Sequence, residues 1–181
     1  MWGVLLALPF ACAACDTAPQ PDSIRTVAAF EVPLSNGSDR DQLIAILRQD
    51  AGAEGFHVDA ASADELRNLS EVSPITINAA VWRGKDDDEA VASVMDGPTH
   101  LGLALLTFSR STEPRRTARY RERAMRRIML RWPRTQALPI MPDGAIPFHD
   151  DLVATPQGYR VKREAASRYE LAESSPLVAG K

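Results

Sequence analysis

The sequence predicts an α+β fold: an antiparallel sheet with two main helices packed on one face, ferredoxin-like in outline. Three observations carry this expectation. Across residues 75–82, Ile75, Ile77, Ala79 and Val81 alternate with Thr76, Asn78, Ala80 and Trp82, which is the period of a half-buried strand. Two longer stretches, starting near residues 38 and 114, instead repeat their apolar residues at helical spacing. The order strand–helix–strands–helix–strand then puts both helices over one side of a sheet. With 181 residues and 45% hydrophobic content, the chain is long and apolar enough to bury one core.

In chain order, residues 26–34 (TVAAFEVPL) read as a first strand, with Val27, Phe30 and Val32 as core candidates and Pro33 marking its end or an edge. Ser35, Asn36 and Gly37 form a turn. Ser38 is predicted to cap a helix, with Asp41 near the positive end of its dipole. Leu43, Ile44, Leu47 and Ala51 share one face of that helix, and Gly52 and Gly55 end it. Residues 56–59 form a short strand. Ser62 and Glu65 make a capping box ahead of Leu66 and Leu69, for one or two helical turns. After the strand over 75–83 and a turn over 84–88, residues 89–95 (EAVASVM) read as its hairpin partner, with a short helix as the alternative. Residues 101–108 form an apolar central strand. Ser111 or Thr112 caps a second helix that carries Pro114 in its first turn and stops before Pro133. Residues 136–141 give a last strand, a hairpin turns at 155–158, and residues 164–171 form a helical turn. There is no internal repeat.

The first fifteen residues, MWGVLLALPFACAAC, carry no charged side chain. The apolar run from Trp2 to Ala14 falls short of the about 20 residues that span a bilayer, and it closes on small residues. On Ala13, Ala14 and Cys15 the chain resembles a bacterial lipoprotein precursor, although Cys12 stands where that class prefers Leu and no basic residue precedes the run. The resemblance implies removal of residues 1–14, a lipid on Cys15, and a cell-envelope protein anchored to a membrane and facing the periplasm. Cleavage without lipid and an uncleaved segment are the alternatives. Residues 15–25 then form a flexible tether, residues 26–171 a single domain and residues 172–181 a loose tail. Both cysteines lie in the leader region, so the folded body has no disulfide, thiol nucleophile or thiolate metal site.

The second helix holds the most unusual composition. Residues 113–131 carry eight arginines and two glutamates within a chain of net charge −3. At about 100° per residue, Arg115, Arg116, Arg119, Arg123, Arg126, Arg127 and Arg131 share one face. Arg121 turns toward Ala118, Met125, Ile128, Met129 and Trp132. Guanidinium forks grip phosphate and carboxylate oxygens in pairs, so Arg115, Arg116, Arg119, Arg123, Arg126 and Arg127 are the candidate partner-binding residues. The plainer reading is a solvated helix face neutralised by the chain's own acids. The net acidity and the lack of interleaved aromatics argue against nucleic acid.

Other chemistry is sparse. Asp86, Asp87, Asp88 and Glu89 are contiguous and lack calcium-loop spacing, so they read as a solvated turn and no metal is expected. His57 and Asp59 would share a face of a strand; His149, Asp150 and Asp151 are adjacent in sequence; His100 stands alone. No nucleophile elbow, Ser-x-x-Lys or phosphate loop occurs, so no catalytic residue and no cofactor is assigned. The expectation is a non-enzymatic binding or accessory domain, meeting a membrane through its lipid and an envelope protein or anionic polymer through its arginines. The alternatives are a hydrolase of an envelope polymer, with His149, Asp150 and Asp151 at a cleft, and a module that binds anionic lipid through residues 115–131.

Overall fold

Six strands make one sheet: β1 (Thr26–Pro33), β2 (His57–Ala60), β3 (Thr76–Arg83), β4 (Glu89–Asp96), β5 (Leu103–Ser109) and β6 (Gln136–Leu138). Their order across the sheet is β2-β3-β4-β5-β1-β6, and every neighbouring pair is antiparallel. Helix α1 (Gly37–Ala53) carries the chain from β1 to the far edge at β2, and α2 (Pro114–Arg131) carries it from β5 across β1 to β6. These are the two crossovers of the ferredoxin-like outline, widened by the hairpin β3–β4. The computed structural model describes residues 25–62, 64–66, 68, 76–84, 89–96 and 103–180. The leader with Cys15, the tether before Arg25, Leu69, Ile75, the acids at 86–88 and His100 lie outside the described residues.

The sheet face under the helices forms the main core. Val32, Val81, Val94, Leu106 and Phe108 from the strands meet Leu43, Leu47, Tyr120, Ala124 and Ile128 from the helices, all fully buried. Burying each valine, leucine, isoleucine or phenylalanine among them stabilises by about 1.5–3 kcal/mol. Tyr120 packs edge-on against Phe108, ring centroids 6.0 Å apart, and against Phe56 at 5.6 Å. Residues 89–96 form a strand rather than the alternative helix, and the expected hairpin near 155–158 is β7 (Leu152–Thr155) with β8 (Gly158–Val161).

Several local expectations shift. The first helix is capped by Asn36, not Ser38. Asn36 is extended, and its side chain accepts the Asp39 backbone N–H at 3.0 Å, while an Asp39 carboxylate oxygen accepts the Ser35 N–H at 2.8 Å. Ser38 is already inside the helix, its hydroxyl accepting from the Gln42 amide. The second helix is capped at Glu113 without a side-chain cap bond; Ser111 Oγ instead accepts the Glu113 N–H at 3.1 Å. Alternation in β3 breaks between Ile77 and Ala79, where the register slips by one residue. The slip buries Asn78 completely and leaves Ile77 54% exposed. A similar irregularity at Thr26 leaves Val27 exposed, while Phe30 and Val32 reach the core.

A second, smaller cluster covers the opposite face of the sheet at β1, β6 and, through Leu105, β5. Ala29 and Leu138 pack there with Met141, Leu152, Val161 and Ala165 from the C-terminal part. Residues 172–180 do not hang loose. Val178 is buried and bridges Val161 in parallel, because the Val161 N–H and carbonyl, free of β7, bond to Leu177 and Ala179. The remaining half of that face, along β2, β3 and β4, carries no such cover among the described residues.

Candidate guanidinium face of the helix layer

The two helices run antiparallel side by side, and their contact is a ladder of ion pairs. Arg119 and Arg123 both donate to the carboxylate of Glu54, at 3.0 and 2.7 Å. The Arg127 Nε lies 3.7 Å from an Asp50 oxygen, and its Nη1 donates to Gln49. Arg131 donates to Gln42 at 3.0 Å and to Asp39 at 3.3 Å. Arg116 pairs with Glu113 at 3.1 Å and lies over the Phe56 ring, 4.8 Å from its centroid. The spacing explains the ladder. Arginines at 119, 123, 127 and 131 repeat every four residues, and Asp39, Asp50 and Glu54 lie within about 60° of one another on α1.

The two sides of the ladder differ in depth. Side chains of Arg119, Arg123, Arg127 and Arg131 are between 38% and 59% exposed, whereas those of Glu54, Asp50 and Asp39 are between 1% and 11% exposed. The acids lie beneath and the guanidiniums above. Four arginines stand over three acids, and solvent meets the cations. The hydrogen bond from Arg119, with help from Arg123, holds Glu54 below the usual carboxylate range against the effect of its burial. Burial instead pushes Asp50 up, with Arg127 and Arg123 opposing it only in part. Burial and the Asp50 charge together raise the Tyr120 hydroxyl. Neither Asp50 Oδ2 nor the Tyr120 hydroxyl has a hydrogen-bond partner among the described residues.

No family model matches the chain, and no curated protein matches it in sequence.

Of the six arginines singled out from sequence, Arg116, Arg119, Arg123 and Arg127 join the ladder or its Glu113 extension. Arg115 and Arg126 are exposed and make no ion pair among the described residues. At the helix start, Pro114, Arg115, Arg116 and Arg119 line a shallow depression of about 480 Å³ with Glu113. Sequence reasoning missed Asp39, Asp50 and Glu54 as the layer's floor. The signal was present as an acidic stripe on α1, but the two stripes lie 65 or more residues apart in the chain.

The histidine candidates are not gathered. His57 and Asp59 do share one face of β2, opposite Trp82 and Ala80, and Asp59 lines a depression of about 490 Å³ with Glu65, Ile77 and Trp82. His149 lies at β1, four strands away in the sheet order and so about 19 Å distant at the usual strand spacing. Its Nε2 is 3.4 Å from the nearly buried Glu31, and its ring meets Tyr159 edge-on. Asp151 turns elsewhere, accepting from Tyr169 and Arg168, bonds that hold it low despite its burial. Asp150 is exposed. No group of three or more metal-ligating side chains occurs among the described residues.

Proposed function

We propose that the chain is an envelope lipoprotein, anchored by lipid on Cys15 and facing the periplasm, whose folded domain is a non-enzymatic accessory module. Its role is to hold another envelope component against the helix layer. The leader ending in Ala13, Ala14 and Cys15 supports the anchoring. One observation supports the binding role above others: guanidiniums stand outward over buried carboxylates that fix them in place. A floor of acids pre-orients the cations, so little side-chain freedom is lost when an anionic partner arrives. No helix among the described residues is long and apolar enough to cross a membrane.

Mass spectrometry of the amino terminus, taken from the protein in its native membranes, tests the reading. The expected first residue is Cys15 carrying a diacylglycerol thioether. An unacylated product that begins at Met1 and stays in the cell interior would overturn it.

A further inference from the structure

We infer that the helix layer lies flat on an anionic phospholipid surface, with the outer ridge of α2 seated among the headgroups. This deepens the proposed function and rests on it. Measured from the buried side of α2, where Tyr120, Ala124 and Ile128 point into the core, the opposite ridge holds Arg115, Arg119, Glu122, Arg126, Met129 and Leu130. Three of the six are cationic and one is acidic. Leu130 is 80% exposed and Met129 51% exposed. A face that only met water would gain nothing from either side chain. At the boundary between headgroups and acyl chains both gain apolar burial, while the neighbouring arginines stay at phosphate level.

The charge arrangement fits that occupant. Arg115 and Arg126 have no internal acid to leave, and Arg119 keeps its outer side exposed while Glu54 holds the inner one. An acidic protein face could satisfy the arginines as well; the lipid surface is favoured because the anchor keeps one beside the ridge.

The chain's own geometry brings the ridge to the bilayer. The Arg110 N–H donates to the Arg25 carbonyl at 2.7 Å, so β1 begins beside the segment that leads into α2. Residues 16–25 can span at most about 35 Å. Helix α2, with 18 residues, is about 27 Å long. A lipid on Cys15 therefore leaves the whole ridge within reach of the membrane that holds it.

The test uses the chain from residue 15 onward carrying Cys15→Ala, so that neither the leader nor an acyl chain inserts it. Binding is measured by co-sedimentation with vesicles of phosphatidylcholine alone or with roughly one-third phosphatidylglycerol. The wild-type ridge should favour the anionic vesicles, and salt should remove the preference. Arg115→Gln with Arg126→Gln should weaken anionic binding about 25-fold, at about fivefold per guanidinium. Met129→Ser with Leu130→Ser should weaken it as well, whereas Arg126→Lys should retain most of it. All four side chains are exposed, and far-UV circular dichroism verifies that each variant is folded. Equal affinity for neutral and anionic vesicles, or double variants that bind like wild type, would overturn the inference. The mass of the native amino terminus reads the anchoring separately, so the two readings fail on different measurements.

Discussion

Glu54 and Asp50 sit one helical turn apart on α1, under the same arginines, yet their titrations oppose each other. Glu54 is held low by the Arg119 and Arg123 hydrogen bonds. It therefore adds stability above the unfolded-chain pKa of about 4.3, and that contribution is lost as pH falls through the lower folded value. Asp50 is pushed up by burial. Between its unfolded pKa of about 3.9 and its raised folded value, the folded chain holds the extra proton, so stability falls as pH rises through that window. Two substitutions separate the effects in urea titrations followed across pH. Glu54→Gln should lower stability by about 1 kcal/mol at pH 7, a figure kept small because its arginines are partly solvated, and the deficit should close in acid. Asp50→Asn should raise the pH 7 midpoint, because it removes a buried charge whose Oδ2 has no hydrogen-bond partner among the described residues, and its advantage should also close in acid. A lower midpoint for Asp50→Asn at pH 7 would mean that the Arg127 attraction outweighs burial.

At the scale of elements, the end of α1 shows how one glycine shapes the face. Gly55 has φ +69°, its N–H bonds to the Gly52 carbonyl, and the Phe56 N–H bonds to the Ala51 carbonyl. That pair of bonds is the Schellman stop, with Gly55 in the left-handed position. A Cβ at Gly55 would stand 2.5 Å from Arg116 Nη2, so the glycine also clears the path by which Arg116 lies over Phe56. Gly55→Ala should cost about 1–2 kcal/mol, from left-handed backbone strain and the displaced cation–ring contact. In a double-mutant cycle, Arg116→Ala should cost less in the Gly55→Ala background than alone. This stop was legible in sequence, as were the Leu43, Ile44, Leu47 and Ala51 stripe and the Ser62–Glu65 box, whose two bonds form at 2.8 and 3.3 Å. Each depends on residues within one or two turns. The start of α1 was misplaced by two residues because Asn36 and Ser38 are both good caps, and only backbone direction separates them. Gly52 signals a stop by type, but the chain reaches Ala53 because helix packing outweighs one glycine's cost.

Across the whole molecule, the limits of sequence reading lie where distant segments meet. The basic face of α2 was legible from spacing alone, and its acidic floor was not, because Glu54 reaches Arg123 only after α1 and α2 settle side by side on the sheet. The slip at Ile77 was equally hidden, since it belongs to the pairing of β3 with β4 and not to either strand. The C-terminal module is a third case: β7, β8 and the Val178 bridge gain cohesion from the back of β1 and β6. That arrangement makes a prediction about cooperativity. Ala29 and Leu138 belong to the sheet and also to the second cluster, so the module and the main core share strands. Leu152 is 6% exposed within that cluster, and Leu152→Ala should cost about 2–4 kcal/mol. If the molecule is one cooperative unit, the loss will appear equally in far-UV circular dichroism and in the fluorescence of Trp82 and Trp132, although both tryptophans lie outside the cluster. Separate transitions for the two probes would instead make the module a subdomain that can leave the sheet while the guanidinium layer stays intact.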